Sequence, residues 1–398
     1  MRRPRCVVRV GSLPSSRKSS DSKMSTPASI LLVGLGGAGC SMVMRLSAQL
    51  PPEVAVALLD TDARSLSAGT AATLQLGRAQ TRGMGTGGEA ALGLASAESE
   101  EAALRRLFAG VPVVVLVTGL GGGTGSGAAS VVAGYAAECG ATVLSFATMP
   151  FSHEGERRMR QANDATVKLG QKCHGLVVVH NDLLLQQVSP EAPLSESFAA
   201  ADNWVGGALR GLASAFAPGA LIAVDPAALR SLLSTPGSPT LFAYGVGQGQ
   251  GAALKAARAA CDCPLAHAPG AVAKVASLFV TVAGGPAMTS TEAFEAVAAI
   301  RARFGGETST VLCARIEPTL GDRIEVSVLG ASLPAPKPPA KPKKGAKAED
   351  PAQPIFEFAT EESMRRGLFG GTPMTFIDGQ DVDVPAYIRK AVRLPPVP

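Results

Sequence analysis

Aromatic side chains and long apolar segments are scarce in this chain of 398 residues. Aromatic residues make up 4% of it, with one Trp and three Tyr, which argues against a surface that binds single-stranded nucleic acid by stacking bases. Apolar runs such as Val113 to Val117 and Leu278 to Ala283 are far shorter than the roughly 18 residues that a membrane-spanning helix needs. We therefore expect no direct insertion into a membrane.

Cysteine is also infrequent, and its seven positions follow no regular spacing. An odd number with irregular spacing is typical of free thiols in a reducing cytoplasm. Cys261 and Cys263 with His267 would make a partial metal site, but a fourth ligand is not evident. We expect a cytoplasmic protein with no metal held by its side chains.

The net charge of +5 lies in the tails of the chain. Residues 1–23 carry seven Lys/Arg and one Asp, and residues 331–352 carry five Lys and two acids. Residues 24–330 carry 20 basic and 23 acidic residues. A nucleic-acid-binding body would need a basic surface, so no nucleic-acid partner is expected.

Length and composition predict two domains with tails, since 46% of the residues are hydrophobic and can bury a large core. The first half alternates strand-like and helical stretches, which predicts an α/β fold with a parallel sheet covered on both faces. The N-terminus is Arg/Ser-rich, and one interpretation places the true start at Met24. The expected divisions are an N-terminal disordered extension (1–28), a first α/β domain (29–193), a long central helix (194–217), a second, smaller α/β domain (218–330), a Pro/Lys-rich linker (331–354) and a distinct tail (355–398).

A first glycine loop, Gly34 to Gly39, follows the strand-like run Ile30 to Val33. It matches the G-x-G-x-x-G fingerprint of dinucleotide sites, and Asp60 supplies an acid about 20 residues further on. Glycines let the backbone approach a phosphate, and the following helix offers free N–H groups. This loop by itself is compatible with a dinucleotide site or with a tight turn that binds nothing.

A second glycine loop, Thr118 to Gly127, follows the third strand-like run and contains six glycines together with the hydroxyls of Thr124 and Ser126. Its successive N–H groups can form an anion nest, and its hydroxyls can donate to phosphate oxygens. Two such loops at the carboxyl ends of neighbouring parallel strands would converge on one ligand with several phosphates. A conventional NAD site has no use for the second loop, which speaks against a Rossmann-type oxidoreductase.

The heptapeptide GGGTGSG, Gly121 to Gly127, is the signature of the tubulin/FtsZ superfamily, and the chain resembles the bacterial FtsZ family from about Ile30 to Leu329 and again in its tail. The resemblance implies a GTP-binding domain, a long central helix and a smaller activation domain. It implies GTP or GDP with Mg²⁺ as ligands and head-to-tail polymerisation, with hydrolysis completed by the next subunit. The implied place is the division septum (the Z ring).

The resemblance also assigns nucleotide contacts. Glu154 would accept from the ribose, Arg158 would approach phosphate, and Asn181 would contact the nucleoside. Phe198 and Asp202, four residues apart on the long helix, would stack on the purine and accept from guanine N1 and N2. The phosphate-binding residues implied by the two glycine loops are Gly36, Gly37, Ala38, Gly39, Gly121, Gly122, Gly123, Thr124, Gly125, Ser126 and Gly127.

Some positions depart from the family's pattern. Ser41 and Met44 stand where asparagines are usual, one of which helps to bind guanine. Leu59 to Ala63 resembles the family's second loop. Thr81 to Gly88, called here the γ loop, resembles the loop that senses the γ-phosphate, but Glu89-Ala90-Ala91 follows it in place of Asn-Pro-Glu.

The catalytic loop, Leu221 to Ala228, departs most. The family has Asn-x-Asp-Phe-Ala-Asp there. Asp225 is kept and would act in trans on the neighbouring subunit, whereas Ala223 and Ala228 replace the Asn and the second acid. Losing one water-orienting carboxylate should slow phosphoryl transfer roughly 10²-fold or more. We expect binding and assembly to be retained and hydrolysis to be slow.

The tail resembles the FtsZ C-terminal peptide that docks onto membrane-tethering division proteins. The implied partner-binding residues are Asp383, Val384, Pro385, Tyr387, Ile388 and Arg389. The leading hypothesis is an FtsZ-type cytoskeletal GTPase. A divergent GTP-binding scaffold or filament modulator with little GTPase activity is the alternative, and the oxidoreductase is the third reading.

Overall fold

The computed structural model of the chain describes residues 30–47, 50–51, 54–66, 71–185, 194–216, 220–233, 240–267, 275–305 and 309–331, and two short strands in the tail. Of residues 184–185, 194–202 and 208 it describes the backbone only. The chain divides into two compact units, Met1–Pro336 and Lys337–Pro398. Within the described ranges, no helix has the length and apolar character to cross a membrane.

Six parallel strands form the first sheet. They are β1 (Ile30–Leu35), β2 (Val54–Asp60), β3 (Ala72–Gln75), β4 (Val113–Gly119), β5 (Thr142–Met149) and β6 (Gly175–His180). Their order is β3-β2-β1-β4-β5-β6. Every residue of β1 and β5 is buried, as expected of strands covered by helices on both faces. The predicted parallel sheet is therefore observed, with the short edge strand β3 as an addition.

Helices connect these strands and continue into the second half of the chain. They are α1 (Gly36–Ser47), α2 (Arg78–Thr81), α3 (Ala90–Glu98), α4 (Glu101–Phe108), α5 (Gly123–Glu138), α6 (Glu156–Gly170), α7 (Asn181–Leu185), α8 (Leu194–Phe216), α9 (Pro226–Leu232), α10 (Ala252–Cys261) and α11 (Ser290–Phe304). The helices α3 and α4 are separated by a short break, since α3 ends at Glu98 and α4 begins at Glu101. The Ser99 hydroxyl donates to the carbonyl oxygen of Ser96 at 2.9 Å, a local bond of the kind that competes with helix continuation.

Four strands form the second sheet. They are β7 (Thr240–Gln248), β8 (Ser277–Gly284), β9 (Ser309–Ile316) and β10 (Arg323–Ala331), in the order β7-β10-β8-β9. β10 runs antiparallel to both of its neighbours, while β8 and β9 are parallel. The alanine-rich α10 packs closely on β7 because Gly245 has no side chain: an added Cβ would stand 2.8 Å from the backbone carbon of Ala259.

The long helix α8 joins the two sheets into one hydrophobic core. Val205, Leu209 and Leu212 of α8 are buried in the same cluster as residues of both sheets. Phe146 of the first sheet and Phe242 of the second meet edge to face with ring centroids 5.6 Å apart, a favoured aromatic geometry. The described part of the second compact unit is a pair of two-residue antiparallel strands, β11 (Phe376–Ile377) and β12 (Gln380–Asp381).

Candidate functional site

The two glycine loops lie at the point where the strand order of the first sheet reverses. They follow β1 and β4, which are neighbours, and ligands of open parallel sheets bind outside the carboxyl ends of such strands. Gly36 has a left-handed φ of +71°, and a Cβ placed on it would stand 3.2 Å from the amide nitrogen of Gly125. The loops therefore abut and form one cradle.

The start of α5 is suited to an anion. Gly122 occupies the N-cap, and no side chain caps the helix there, so the first N–H groups of this 16-residue helix are directed to the cradle without a side-chain acceptor. A Cβ placed on Gly122 would meet nothing within 4 Å. Free amides at a helix N-terminus are suited to bind a phosphate group, so the residues of the cradle fit a nucleotide.

Both hydroxyls predicted to contact phosphate also have protein partners. Ser126 Oγ accepts from the amide of Gly121 at 2.8 Å, and Thr124 Oγ1 lies 2.6 Å from Thr61 Oγ1. Thr61 is in turn held by Asp60, whose Oδ1 accepts from its amide at 2.7 Å. The loop after β2 is thereby hydrogen-bonded to the second glycine loop.

Cys40 lies beneath the cradle as a packing residue. Its thiol donates to the carbonyl oxygen of Gly34 at 3.3 Å. Burial, reinforced by the nearby charge of Asp60, raises the pKa of the Cys40 thiol to about 12. A thiol with that pKa is not a nucleophile at neutral pH.

The γ loop, Thr81 to Gly88, is held against the cradle by a residue that sequence reasoning missed. Gln161 of α6 donates from Nε2 to the carbonyl oxygen of Gly88 at 3.2 Å and to that of Gly122 at 3.0 Å. On its other side, the amide of Ala63 donates to the carbonyl oxygen of Gly83 at 3.0 Å. No spacing pattern in the sequence indicates Gln161, because both acceptors are backbone atoms far along the chain.

We expect Gln161→Leu to weaken GTP binding about 30-fold, since carbonyl groups of two loops lose their donor and two hydrogen bonds at about 1 kcal/mol each amount to about 2 kcal/mol. The thermal midpoint should fall only modestly, because Gln161 is half-buried beside the two loops and is not part of the hydrophobic core. Titration with a fluorescent GTP analogue measures the affinity. Gln171→Leu at the exposed end of α6 is the matched control, and equal affinities of the two variants would contradict the assignment.

Glu154 and Arg158 lie beside the second glycine loop and contact each other. Glu154 accepts from the amide of Phe151 at 2.9 Å through Oε1 and pairs with the Arg158 guanidinium through Oε2. A Cβ on Gly121 would stand 3.4 Å from Cβ of Arg158. The Arg158 side chain is 53% exposed and lies beside the second glycine loop.

The other predicted contact residues differ in what the structure describes of them. Asn181 begins α7 directly after β6, at the same carboxyl edge of the sheet as the cradle. Phe198 and Asp202 lie in α8, but their side chains are outside the described part. The partner-binding residues Asp383 to Arg389 also lie outside the described residues.

Asp225 lies near the amino ends of the strands of the first sheet, whereas the cradle lies at their carboxyl ends. It is the N-cap of α9, and its Oδ1 accepts from the amide of Ala227 at 2.8 Å. Arg230 of α9 donates to Thr142 Oγ1 at 3.2 Å, and Thr142 is the first residue of β5. The eight residues of β5 span about 26 Å at the usual rise. Asp225 is therefore too far from its own cradle to act on a ligand there.

A metal site at Cys261 and Cys263 finds no support in the geometry. His267 Nε2 lies 2.9 Å from the carbonyl oxygen of Cys261 rather than near a thiol. In the described ranges, no three His, Cys, Asp or Glu side chains form a group that would hold a metal ion.

Comparison with protein families identifies the fold. Residues 29–189 match the model of the Tubulin/FtsZ family, GTPase domain, and residues 239–333 match that of the FtsZ family, C-terminal domain. This chain is a divergent member of the tubulin/FtsZ superfamily. The predicted fold class is confirmed, and the oxidoreductase reading is wrong because both glycine loops lie within the GTPase domain of a tubulin/FtsZ protein.

Solved structures of tubulin/FtsZ proteins agree with this assignment. An FtsZ dimer from M. jannaschii is 28% identical with a TM-score of 0.71, and the match covers 77% of this chain and 89% of that chain. CetZ2 from Haloferax volcanii, a GTPγS-bound protofilament, is 20% identical with a TM-score of 0.63 over 77% of this chain and 94% of that one, a likeness of fold. The chain is a GTPase-type cytoskeletal filament protein whose ligand is a guanine nucleotide.

Proposed function

We propose that this chain is an FtsZ-type GTPase that binds GTP with Mg²⁺ in the cradle and polymerises head-to-tail. The position of Asp225 is the observation that carries this proposal. The cradle lies at the carboxyl ends of the strands and Asp225 lies near the amino end of β5, so Asp225 can act only on the nucleotide of another copy. Head-to-tail stacking brings Asp225 of one subunit to the cradle of the next, and repetition of that contact makes a filament.

In this proposal the cradle residues hold the triphosphate. The free amides at the start of α5 bind phosphate oxygens, and Arg158 supplies a cation where no P-loop lysine exists. Phe198 stacks on guanine, Asp202 accepts from it, and Asn181 contacts the nucleoside. When bound with the nucleotide, Mg²⁺ would supply positive charge beside the phosphates.

Hydrolysis is slow in this proposal. Asp225 orients water over the neighbour's γ-phosphate, while Ala223 and Ala228 offer no polar group for that task. These two alanines also favour a second candidate function, a GTP-binding scaffold or filament modulator that assembles but barely turns over GTP.

The site of action proposed for the filament is the bacterial division septum, on the cytoplasmic side of the membrane. Asp383 to Arg389 would dock onto a membrane-tethering division protein. Apolar anchors between acidic and basic residues are typical of a short linear motif, and the Pro/Lys-rich segment before it would act as a spacer.

Purified full-length protein tests these proposals through GTP affinity, GTP turnover and sedimentation with GTP or GDP. GTP-dependent pelleting with turnover supports the first candidate. Pelleting without turnover supports the scaffold. Absence of guanine-nucleotide binding would exclude both.

A further inference from the structure

The helix that carries Asp225 at its N-cap is too short to hold its own position. α9 has seven residues, and helices of that length are not stable alone in water. Leu229 and Leu232 bury one face of it. Its exposed face carries Arg230, which donates to the carbonyl oxygen of Gly140 and, from Nε, to Thr142 Oγ1 at 3.2 Å. These partners lie 90 and 88 positions away in sequence.

The chain before Asp225 is held from the other side. The amide of Ile222 donates to the carbonyl oxygen of Ala314 at 3.1 Å, and the amide of Ala314 donates back to Ile222 at 3.3 Å. This bridge fixes Ile222 to β9 of the second sheet. Asp225 therefore lies between two anchors. One is the bridge from Ile222 to the second sheet, and the other is the pair of hydrogen bonds from Arg230 to Gly140 and Thr142 of the first domain.

The anchor on the first domain lies at the far end of the helix that begins in the cradle. α5 starts at Gly123 and ends at Glu138, and Gly140 follows two residues later. Sixteen helical residues span about 24 Å. Arg230 thus sets the position of Asp225 relative to a helix whose other end belongs to the subunit's own nucleotide cradle.

We propose that Arg230 is a positioning residue for hydrolysis in trans. This inference rests on the proposed function. In a head-to-tail filament each subunit receives a neighbour's Asp225 at its cradle and presents its own Asp225 at the opposite ends of the strands. The offset, which is the distance between cradle and Asp225 within one subunit, must therefore be the same in every subunit. The two hydrogen bonds of Arg230 fix that offset, and Arg230 itself contacts no nucleotide.

A double-mutant cycle tests this role. We expect Arg230→Met to lower kcat about 10- to 100-fold, the effect of a displacement near 1 Å. GTP affinity should stay at its natural value, because the cradle is untouched, and the melting temperature should fall only slightly, because Arg230 is exposed. Combined with Asp225→Ala, Arg230→Met should add no further loss, since a residue that acts through Asp225 has nothing left to position. Arg230→Lys should not rescue, because an ammonium cannot reproduce the two-acceptor geometry.

Two more variants complete the design. Thr142→Val removes one acceptor of Arg230 and should give a smaller loss in the same direction, which keeps the test valid if Arg230→Met lowers the melting temperature. Arg106→Met is the matched control: Arg106 is exposed and also donates to a backbone carbonyl, that of Ala102 at 3.0 Å, but within its own helix. It should change nothing.

Losses that multiply in the cycle would overturn the proposal, as would full turnover in Arg230→Met or in Arg230→Lys. Turnover is measured under single-turnover conditions with labelled GTP, both in the natural sequence and with Ala228→Asp. A protein that binds no GTP, or hydrolyses none in either background, contradicts the proposed function. A protein that hydrolyses GTP at a rate insensitive to Arg230 contradicts this inference alone.

Discussion

Asp225→Asn should lower GTP turnover by about 10³-fold, the upper range for removing one group that stabilises a transition state, without weakening GTP binding. The side chain is exposed at the ends of the strands opposite the cradle, so the substitution leaves the subunit's own nucleotide contacts intact. Asn is as good an N-cap as Asp, so α9 keeps the bond from the amide of Ala227. The fold and the interface are preserved while the carboxylate is lost.

This effect is measured by GTP turnover at protein concentrations above the one needed for assembly, together with nucleotide affinity and sedimentation. The expected pattern is normal binding and pelleting with turnover near background. Asp262→Asn, an exposed acid that follows α10, is the matched control and should behave as the natural protein. If Asp225→Asn hydrolysed GTP at the natural rate, the role in trans would be wrong and the N-cap would be the whole purpose of this carboxylate.

Sequence alone locates the cradle because its signals are local. β1 and β4 are apolar runs that end in glycines, and the glycines are needed where the loops touch: a Cβ on Gly119 would stand 2.6 Å from that of Ala38. The carboxyl ends of neighbouring parallel strands then bring the loops together. The same reasoning missed β3, whose four residues are half-buried or exposed and give no apolar run.

The residues that sequence reasoning missed are defined by contacts between distant segments. Gln161 and Arg230 both donate to backbone carbonyls, and a carbonyl has no sequence signature. The short helix α9 follows an aspartate and begins with a proline, a good helix start, yet it depends on Leu229 and Arg230 for its position. The distance between Asp225 and the cradle likewise follows from the topology of the sheet. It corresponds to the length of a strand, and no sequence motif encodes it.

The second sheet shows a related limit. The sequence predicts a second, smaller α/β domain but not the order of its strands, in which β10 inserts between β7 and β8. Such an order depends on side-chain packing between the strands and α8. Gly211 of α8 lies against the Ser327 side chain of β10, and a Cβ on Gly207 would stand 2.5 Å from the ring of Tyr244 on β7. These close approaches fix the second sheet on the long helix.

Ala228→Asp should raise GTP turnover about 10²-fold, because it restores a second water-orienting carboxylate beside Asp225. The local structure tolerates the change. Ala228 lies in the first turn of α9, where its amide donates to the Asp225 carbonyl oxygen at 2.9 Å, and an acid in the first turn is favoured by the helix dipole. The position is half-buried rather than enclosed, so the new charge keeps contact with water.

Ala227→Asp is the control that isolates geometry from charge. It places the same carboxylate one residue earlier, about 100° around the helix, on an exposed side chain. We expect its turnover to stay at the natural rate. A rise in Ala228→Asp alone would mean that this chain retains an FtsZ-type catalytic geometry and lacks one functional group. Equal rises in both variants would mean that added negative charge, rather than an oriented water, sets the rate. No rise in either would favour the scaffold, because the catalytic loop would then lack more than one carboxylate.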